Sequence, residues 1–334
     1  MKKIINAPHA YVDEALRGIL KAYSNHFKMI EGTKRVLVAK DVPVRGKVGV
    51  VTGGGSGHLP LFLGYVGPGL ADAVAIGNVF SAPSHEDILR ATVAADGGAG
   101  VLHLFGNYAG DVMAAQMAAE IAAADGVEIK TTLVVDDVIS APRHEWQRRR
   151  AVAGMFFAYK VAGAKADTGA PLEDVAATTR RCIDNTRSMG VALSSCTIPA
   201  VGRPNFDVLE GQMEIGMGIH GEPGLERTEL KAAAETARIL TTHVVEDLPF
   251  ESGDRVAVLV NGLGATPMEE LFIIYDTLYD LLRDRGIHIY RTFVGEYATS
   301  MEMAGCSISL LRVDDEMKQL LDMPSYSPFL LQSR

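Results

Sequence analysis

Three residues in this sequence stand where side-chain chemistry is feasible: His220, His58 and Asp111. His220 ends the stretch Met213-Glu-Ile-Gly-Met-Gly-Ile-His220, in which Met213, Ile215, Met217 and Ile219 alternate with smaller or polar residues. That is the period-two pattern of a half-buried strand. Gly221-Glu-Pro-Gly224 then imposes a turn. A histidine delivered by a strand into a glycine-flanked turn has a fixed backbone and an uncrowded ring. Such a ring suits a proton carrier, a metal ligand or a nucleophile. Taken alone, the stretch favours a histidine that caps a turn and bonds its neighbours. The rest of the chain shifts that balance toward chemistry.

His58 closes the stretch Gly53-Gly-Gly-Ser-Gly-His58. Glycines at a strand end let backbone N–H groups approach an oxygen-rich ligand. The stretch is not a nucleotide loop, because GxxxxGK[ST] is absent and His58 stands where GxGxxG requires glycine. Asp111 ends Gly106-Asn-Tyr-Ala-Gly-Asp111, in or just before the first turn of a helix, where capping is the ordinary role of a carboxylate. Both stretches follow strands of one open sheet, so their ends can share a crevice. A His220 loop from a second domain could close it. Histidine, aspartate and a glycine floor together suit proton transfer from a hydroxyl. HExxH, paired carboxylates and G-x-S-x-G are absent, and no metal ligands are assigned. His103 reads as a core residue, His85 as a helix start, and Met113, Met117 and Met155 as core packing.

The elements that must position these residues divide into two units. At 334 residues the chain is long for one domain. In the first, 1–189, strands are expected at 35–39, 47–52, 71–76, 100–105 and 129–135. Helices are expected at 11–23, from Ser84 as a capping box, and at 109–124, 145–165 and 172–189. In the second, 190–334, strands fall at 191–197, 213–219, 255–260, 287–294 and 307–312, with helices at 230–244 and 267–285. The fold class is α/β: two α/β domains, each with a central mixed or largely parallel sheet flanked by helices.

Composition narrows the function classes. Hydrophobic residues at 48% and charged residues at 22% describe an ordinary globular chain with ample core. A net charge of −9 argues against a nucleic-acid partner, though a local pocket can still take an anion. Cys182, Cys196 and Cys306 are odd in number and scattered, which fits a reducing compartment. No secretory leader or membrane-length apolar run is read, so the expected location is cytoplasmic.

Several stretches together resemble the dihydroxyacetone kinase substrate-binding subunit family. They are Thr52-Gly-Gly-Gly-Ser-Gly-His58, Asn107-Tyr-Ala-Gly-Asp111, Arg149-Arg-Ala-Val-Ala-Gly154, Ser194-Ser-Cys-Thr-Ile-Pro199, Gly216-Met-Gly-Ile-His-Gly-Glu-Pro-Gly224 and Asn261-Gly-Leu-Gly-Ala-Thr-Pro267. The resemblance runs essentially from end to end. It implies a homodimer that binds a short ketose. His220 would add to the ketone carbon as a hemiaminal, Asp111 would take the proton from the terminal hydroxyl, and His58 would be its acid–base partner. Gly53, Gly54, Gly55, Ser56, Gly57 and Gly106 would form the substrate-binding surroundings. A hemiaminal selects ketoses over polyols, which lack a carbonyl.

The resemblance also implies that this chain binds no cofactor itself. ATP with Mg2+, or a phosphotransferase-recharged ADP, would sit on a separate donor subunit. A rival reading is a non-catalytic ketose sensor acting on a partner; a nucleotide-binding enzyme is disfavoured by the glycine loop. Three positions depart from the family pattern: Leu59 for Glu, Gly106 for Lys and Ala82 for Ser. With polar groups lost and space opened at Gly106, a four-carbon ketose such as erythrulose is expected to be turned over at least as well as dihydroxyacetone.

Overall fold

The computed structural model describes residues 2–333 and folds them into two six-stranded sheets stacked about a shared, buried helix. The first unit runs α1 (Tyr11–Ala22), β1 (Phe27–Met29), β2 (Val36–Ala39), β3 (Gly49–Ser56), β4 (Ala73–Val79), α2 (His85–Ala95), β5 (Val101–Gly106), α3 (Ala109–Ala124), β6 (Ile129–Val134), α4 (Met155–Asp167) and α5 (Leu172–Asp184). Its strand order is β1-β2-β4-β3-β5-β6. Strands β4, β3, β5 and β6 are parallel, and β1 and β2 form an antiparallel edge.

The second unit runs β7 (Thr186–Ala192), β8 (Gln212–Ile215), β9 (Glu226–Glu229), α6 (Ala233–Asp247), β10 (Arg255–Gly262), α7 (Met268–Asp284), β11 (His288–Gly295) and β12 (Gly305–Arg312). In its sheet, ordered β11-β10-β12-β7-β8-β9, only β10 and β11 are parallel. The first sheet is thus largely parallel and the second mixed, as the expected fold class allows.

Strand β10 shows how the layers are joined. Val256, Val258 and Val260 face a core shared with α6 and α7, whereas Ala257 and Leu259 face the core around α4. Successive strand residues point to opposite faces, so one sheet serves both cores. Helix α4 is buried on nearly all sides, as an all-round apolar helix must be. Phe156 on it packs against Phe293 and Tyr297, with ring centroids 4.8 Å apart in both cases. After β12 the chain returns to this core through α8 (Asp315–Asp322), whose Met317, Leu320 and Leu321 join it. The final hairpin, β13 (Ser325–Ser327) and β14 (Leu330–Gln332), reaches back to Pro68 through Tyr326.

Several expected elements shift. The helix at 145–165 is a short turn over Arg143–Arg148, an extended strip, and then α4. Buried Asp136 causes the break: its carboxylate accepts the Val152 and Gly154 N–H groups, each at 2.9 Å, and so starts α4 afresh. The helix at 172–189 stops at Asp184, because Thr186–Ala192 forms strand β7, buried on both faces and therefore without alternation. The strand at 213–219 ends at Ile215, where Gly216 (φ +84°) turns the chain out of the sheet. Met113 and Met117 lie exposed on α3 and are not core packing, whereas Met155 is buried. Ser84 caps α2 as expected, its hydroxyl accepting the Asp87 N–H at 3.1 Å.

Candidate active site

The glycines before His58 are strand, not loop. Strand β3 is laddered to β4 as far as Ser56, but to β5 only over Gly49–Val51. Beyond Val51 the β5 side of Gly53–Ser56 has no neighbouring strand. What demands glycine is close packing on the strand faces. A Cβ added at Gly54 would lie 2.1 Å from the Phe62 ring, and one at Gly55 would lie 2.7 Å from the Ser81 nitrogen. The strand therefore leaves an open backbone edge at its carboxyl end, beside the Gly106 turn that leads into α3.

His58 is fully buried. Its Nδ1 is 2.7 Å from the Thr299 carbonyl, which can only accept, so the proton sits on Nδ1 and Nε2 carries a lone pair. Nε2 has no partner. Burial, reinforced by His220, drives the His58 pKa down to about 3, so the ring is neutral at physiological pH. The ring stacks on Phe80 at 4.8 Å, and Phe80 itself holds a left-handed backbone with φ +57°. The two units meet here. Besides the histidine contact, Met301 N donates to Gly57 O at 2.8 Å, and Thr299 Oγ1 donates to Leu59 O at 3.0 Å.

His220 enters from the second unit. Its ring centroid is 4.9 Å from that of His58, 4.6 Å from that of Tyr108 and 5.5 Å from that of Phe80. Glu222 holds it at two points, accepting the His220 backbone N–H at 2.9 Å and facing Nδ1 at 2.9 Å. A carboxylate can only accept, so Nδ1 carries the proton of that contact, and in the neutral ring Nε2 then keeps the lone pair. Burial raises the Glu222 pKa, but the His220 bond and charge together with Arg150 outweigh it and bring it down to about 2. Asn205 steadies the turn, its Nδ2 donating to the His220 carbonyl at 2.9 Å.

Asp111 lies in the first turn of α3 and is buried, yet its Oδ1 has no partner. Burial raises its pKa to about 6, against the opposing pull of His220. Tyr108 precedes α3 and donates to the Ala151 carbonyl at 2.6 Å, which holds its ring against that of His220. At Gly106 an added Cβ would lie 3.2 Å from both Ala151 Cβ and the Tyr108 ring. The opening expected there is thus partly taken up by Tyr108. His103 is buried with one nitrogen 2.8 Å from Thr92 Oγ1 and lies outside this group.

The structure therefore brings His58 and His220 into ring contact and sets Asp111 near enough to His220 for a positive charge on that ring to favour its ionised form. Sequence reasoning missed Glu222, Tyr108, Phe80, Thr299 and Arg150. Only Glu222 carried a local signal, a carboxylate two residues after the histidine in a glycine turn. A cavity of about 470 Å3 under the N-terminal segment shares Gly55 to His58 but touches neither His220 nor Asp111. Among the described residues no group of three or more His, Cys, Asp or Glu is placed to hold a metal, and no helix is long and apolar enough to cross a membrane.

These features define a class first: a two-sheet α/β protein in which a histidine from each unit meets the other ring to ring. The chain belongs to the Dak1 domain family, whose model matches residues 17–329. It is 44% identical, over 98% of its length and 99% of the relative's, to PTS-dependent dihydroxyacetone kinase 2, dihydroxyacetone-binding subunit DhaK, of Listeria innocua. It is 41% identical to D-erythrulose kinase of Mycolicibacterium smegmatis, covering 98% of this chain but 56% of that protein. The crystal structure of the dihydroxyacetone kinase of C. freundii superposes with a TM-score of 0.87 at 30% identity, over 96% of this chain and 59% of that one.

Proposed function

We propose that this chain is the ketose-binding subunit of a dihydroxyacetone kinase-type phosphotransferase. The carrying observation is a pair of buried, unpartnered polar atoms, His58 Nε2 and Asp111 Oδ1, on two residues that both neighbour His220. Buried polar atoms are seldom left without a partner, and a small polyhydroxy ligand would supply one to each. In the proposed reaction His220 Nε2 adds to the ketone carbon. The carbonyl electron pair becomes a hydroxyl by taking a proton from solvent, and the cationic ring returns its Nδ1 proton to solvent by way of Glu222, so no net proton is gained or lost. Asp111 accepts the proton of the terminal hydroxyl as the phosphoryl group arrives, and His58 accepts a hydrogen bond from the ligand. Nucleotide and Mg2+ are assigned to a separate donor subunit, and no residue of this chain is assigned to them. The chain would work in the cytoplasm, as a homodimer. The substrate would be a ketose of three or four carbons.

Asp111→Asn should keep covalent ketose capture while lowering turnover with a donor subunit by about 10²–10⁴-fold, as expected for a lost general base. Unchanged turnover would instead favour a sensor. His220→Ala should fold and lose the conversion of a 13C-labelled ketone carbon to a tetrahedral one; an undiminished adduct would move the nucleophile elsewhere. Comparing kcat/KM for dihydroxyacetone and erythrulose with the same donor settles the substrate. A strong preference for dihydroxyacetone would overturn the expectation built on Gly106, Ala82 and Leu59.

A further inference from the structure

The carboxylate that orients His220 is itself faced by a cation from the other unit. Arg150 lies on the extended strip that precedes α4. Its Nε and Nη2 donate to Asp137 Oδ2 at 3.0 and 2.8 Å, and the Asp137 side chain is only 3% exposed. The remaining nitrogen, Nη1, stands 4.0 Å from Glu222 Oε2, the same oxygen that accepts the His220 backbone N–H. That separation is a charge contact, not a hydrogen bond. Gly218 leaves the room for it: a Cβ there would lie 2.3 Å from Glu222 Oε2 and 2.9 Å from Arg150 Nη1. Asp137 pins the guanidinium, so Arg150 is a fixed charge and not a wandering side chain.

The other titratable groups around Glu222 are His220, Tyr108 and His58, with Asp111 beyond His220 and Asp137 behind Arg150. Tyr108 is bound to a carbonyl and His58 is buried and neutral. Among the described residues Arg150 is therefore the permanent cation in ion-pair reach of Glu222.

We propose that Arg150 is a positioning residue for His220, its pinned guanidinium holding in place the Glu222 carboxylate that aims the ring, with Nδ1–H toward Glu222 and Nε2 free for the ketone. Two effects act in the same direction. A cation near Glu222 disfavours protonation of the carboxylate, and it also offsets the carboxylate's tendency to draw a second proton onto His220. Without Arg150 both groups protonate at higher pH, and either event removes the nucleophilic lone pair or the bond that aims it. The inference rests on the reading of His220 as the ketone-binding residue.

The test uses the full chain carrying Arg150→Gln or Arg150→Lys. The first readout is the 15N spectrum of the ligand-free His220 imidazole, assigned by its loss in His220→Ala. The second is the pH profile of adduct formation with 13C-labelled dihydroxyacetone. In Arg150→Gln the acid limb of both should move up by about one pH unit, giving roughly tenfold less adduct at pH values below the limb and recovery above it. Arg150→Lys should fall between that variant and the parent, and it supplies the readout if the Gln variant does not fold. An imidazole titration and adduct profile unchanged from the parent in a folded variant would overturn the proposal. If the imidazole titration shifts as expected while neither parent nor variant forms an adduct, the positioning role stands and the ketose reading fails.

Discussion

Asp111 shows how one side chain trades stability for reactivity. Burial raises its pKa to about 6, so it is ionised as a base only above that value. If Asp111 is the base proposed above, turnover should fall about tenfold per pH unit below this point. The same shift has a thermodynamic sign. In the unfolded chain an aspartate titrates near ~4. Below that both states are protonated and Asp111 costs nothing. Between ~4 and about 6 the folded protein still holds a proton that the unfolded chain has released, so a penalty grows with pH and is complete above about 6. Asp111→Asn should therefore stabilise the protein by about 1–3 kcal/mol at pH 7.5 and leave it unchanged at pH 3.5. Urea unfolding of both proteins at the two pH values checks this, and a loss of stability at pH 7.5 would contradict it. Asp111 was visible in the sequence as a candidate, but capping is the commoner role for an aspartate at that position. What separates the two is burial with an unpartnered oxygen, which local sequence does not encode.

Strand β3 carries a second lesson. Its glycines read as a ligand loop, yet they are laddered into the sheet and pressed against Phe62, Phe80 and Ser81. Gly55→Ala should displace the Phe80–Ser81 backbone, which supports the stack on His58. The expected cost is about 1–3 kcal/mol, with a parallel loss of ketose capture. Chemical denaturation and the labelled-ketose adduct measure the two; full retention of both would show that the segment yields freely. Long periodic elements were legible, α3 from Ala109 to Ala124 among them. So was the strand-end placement of His58. The break before α4 was not, because it depends on Asp136, a carboxylate reached only through the fold. Strand β7 was not, because a strand buried on both faces loses the alternation that would mark it.

At the scale of the whole molecule, Asp247 at the carboxyl end of α6 ties the units together. Its carboxylate receives a two-point fork from Arg149, at 2.7 and 2.6 Å, and another bond from Arg187 at 2.6 Å. The Arg149 side chain is 1% exposed, that of Arg187 9% and that of Asp247 10%. Asp247→Asn would leave two buried cations short of a counter-charge and should cost about 3–5 kcal/mol. A smaller loss would mean that solvent reaches the pair. The two-unit plan was legible in the alternation of strands and helices. This tie was not, since ninety-eight residues separate Arg149 from Asp247. Helix α4 has a consequence of its own for access to His220. A helix sheathed by both sheets is no hinge, so on the proposed function a ketose would not come and go by the halves swinging apart. Exchange of ligand would then be a local event beside His220, where residues 193–211 run as irregular chain, exposed over 200–204 and 209–211, and Asn205 is bonded to the His220 carbonyl. Deuterium uptake should be fast across that segment and slow through α4, and the residence time of the bound sugar should follow the segment alone.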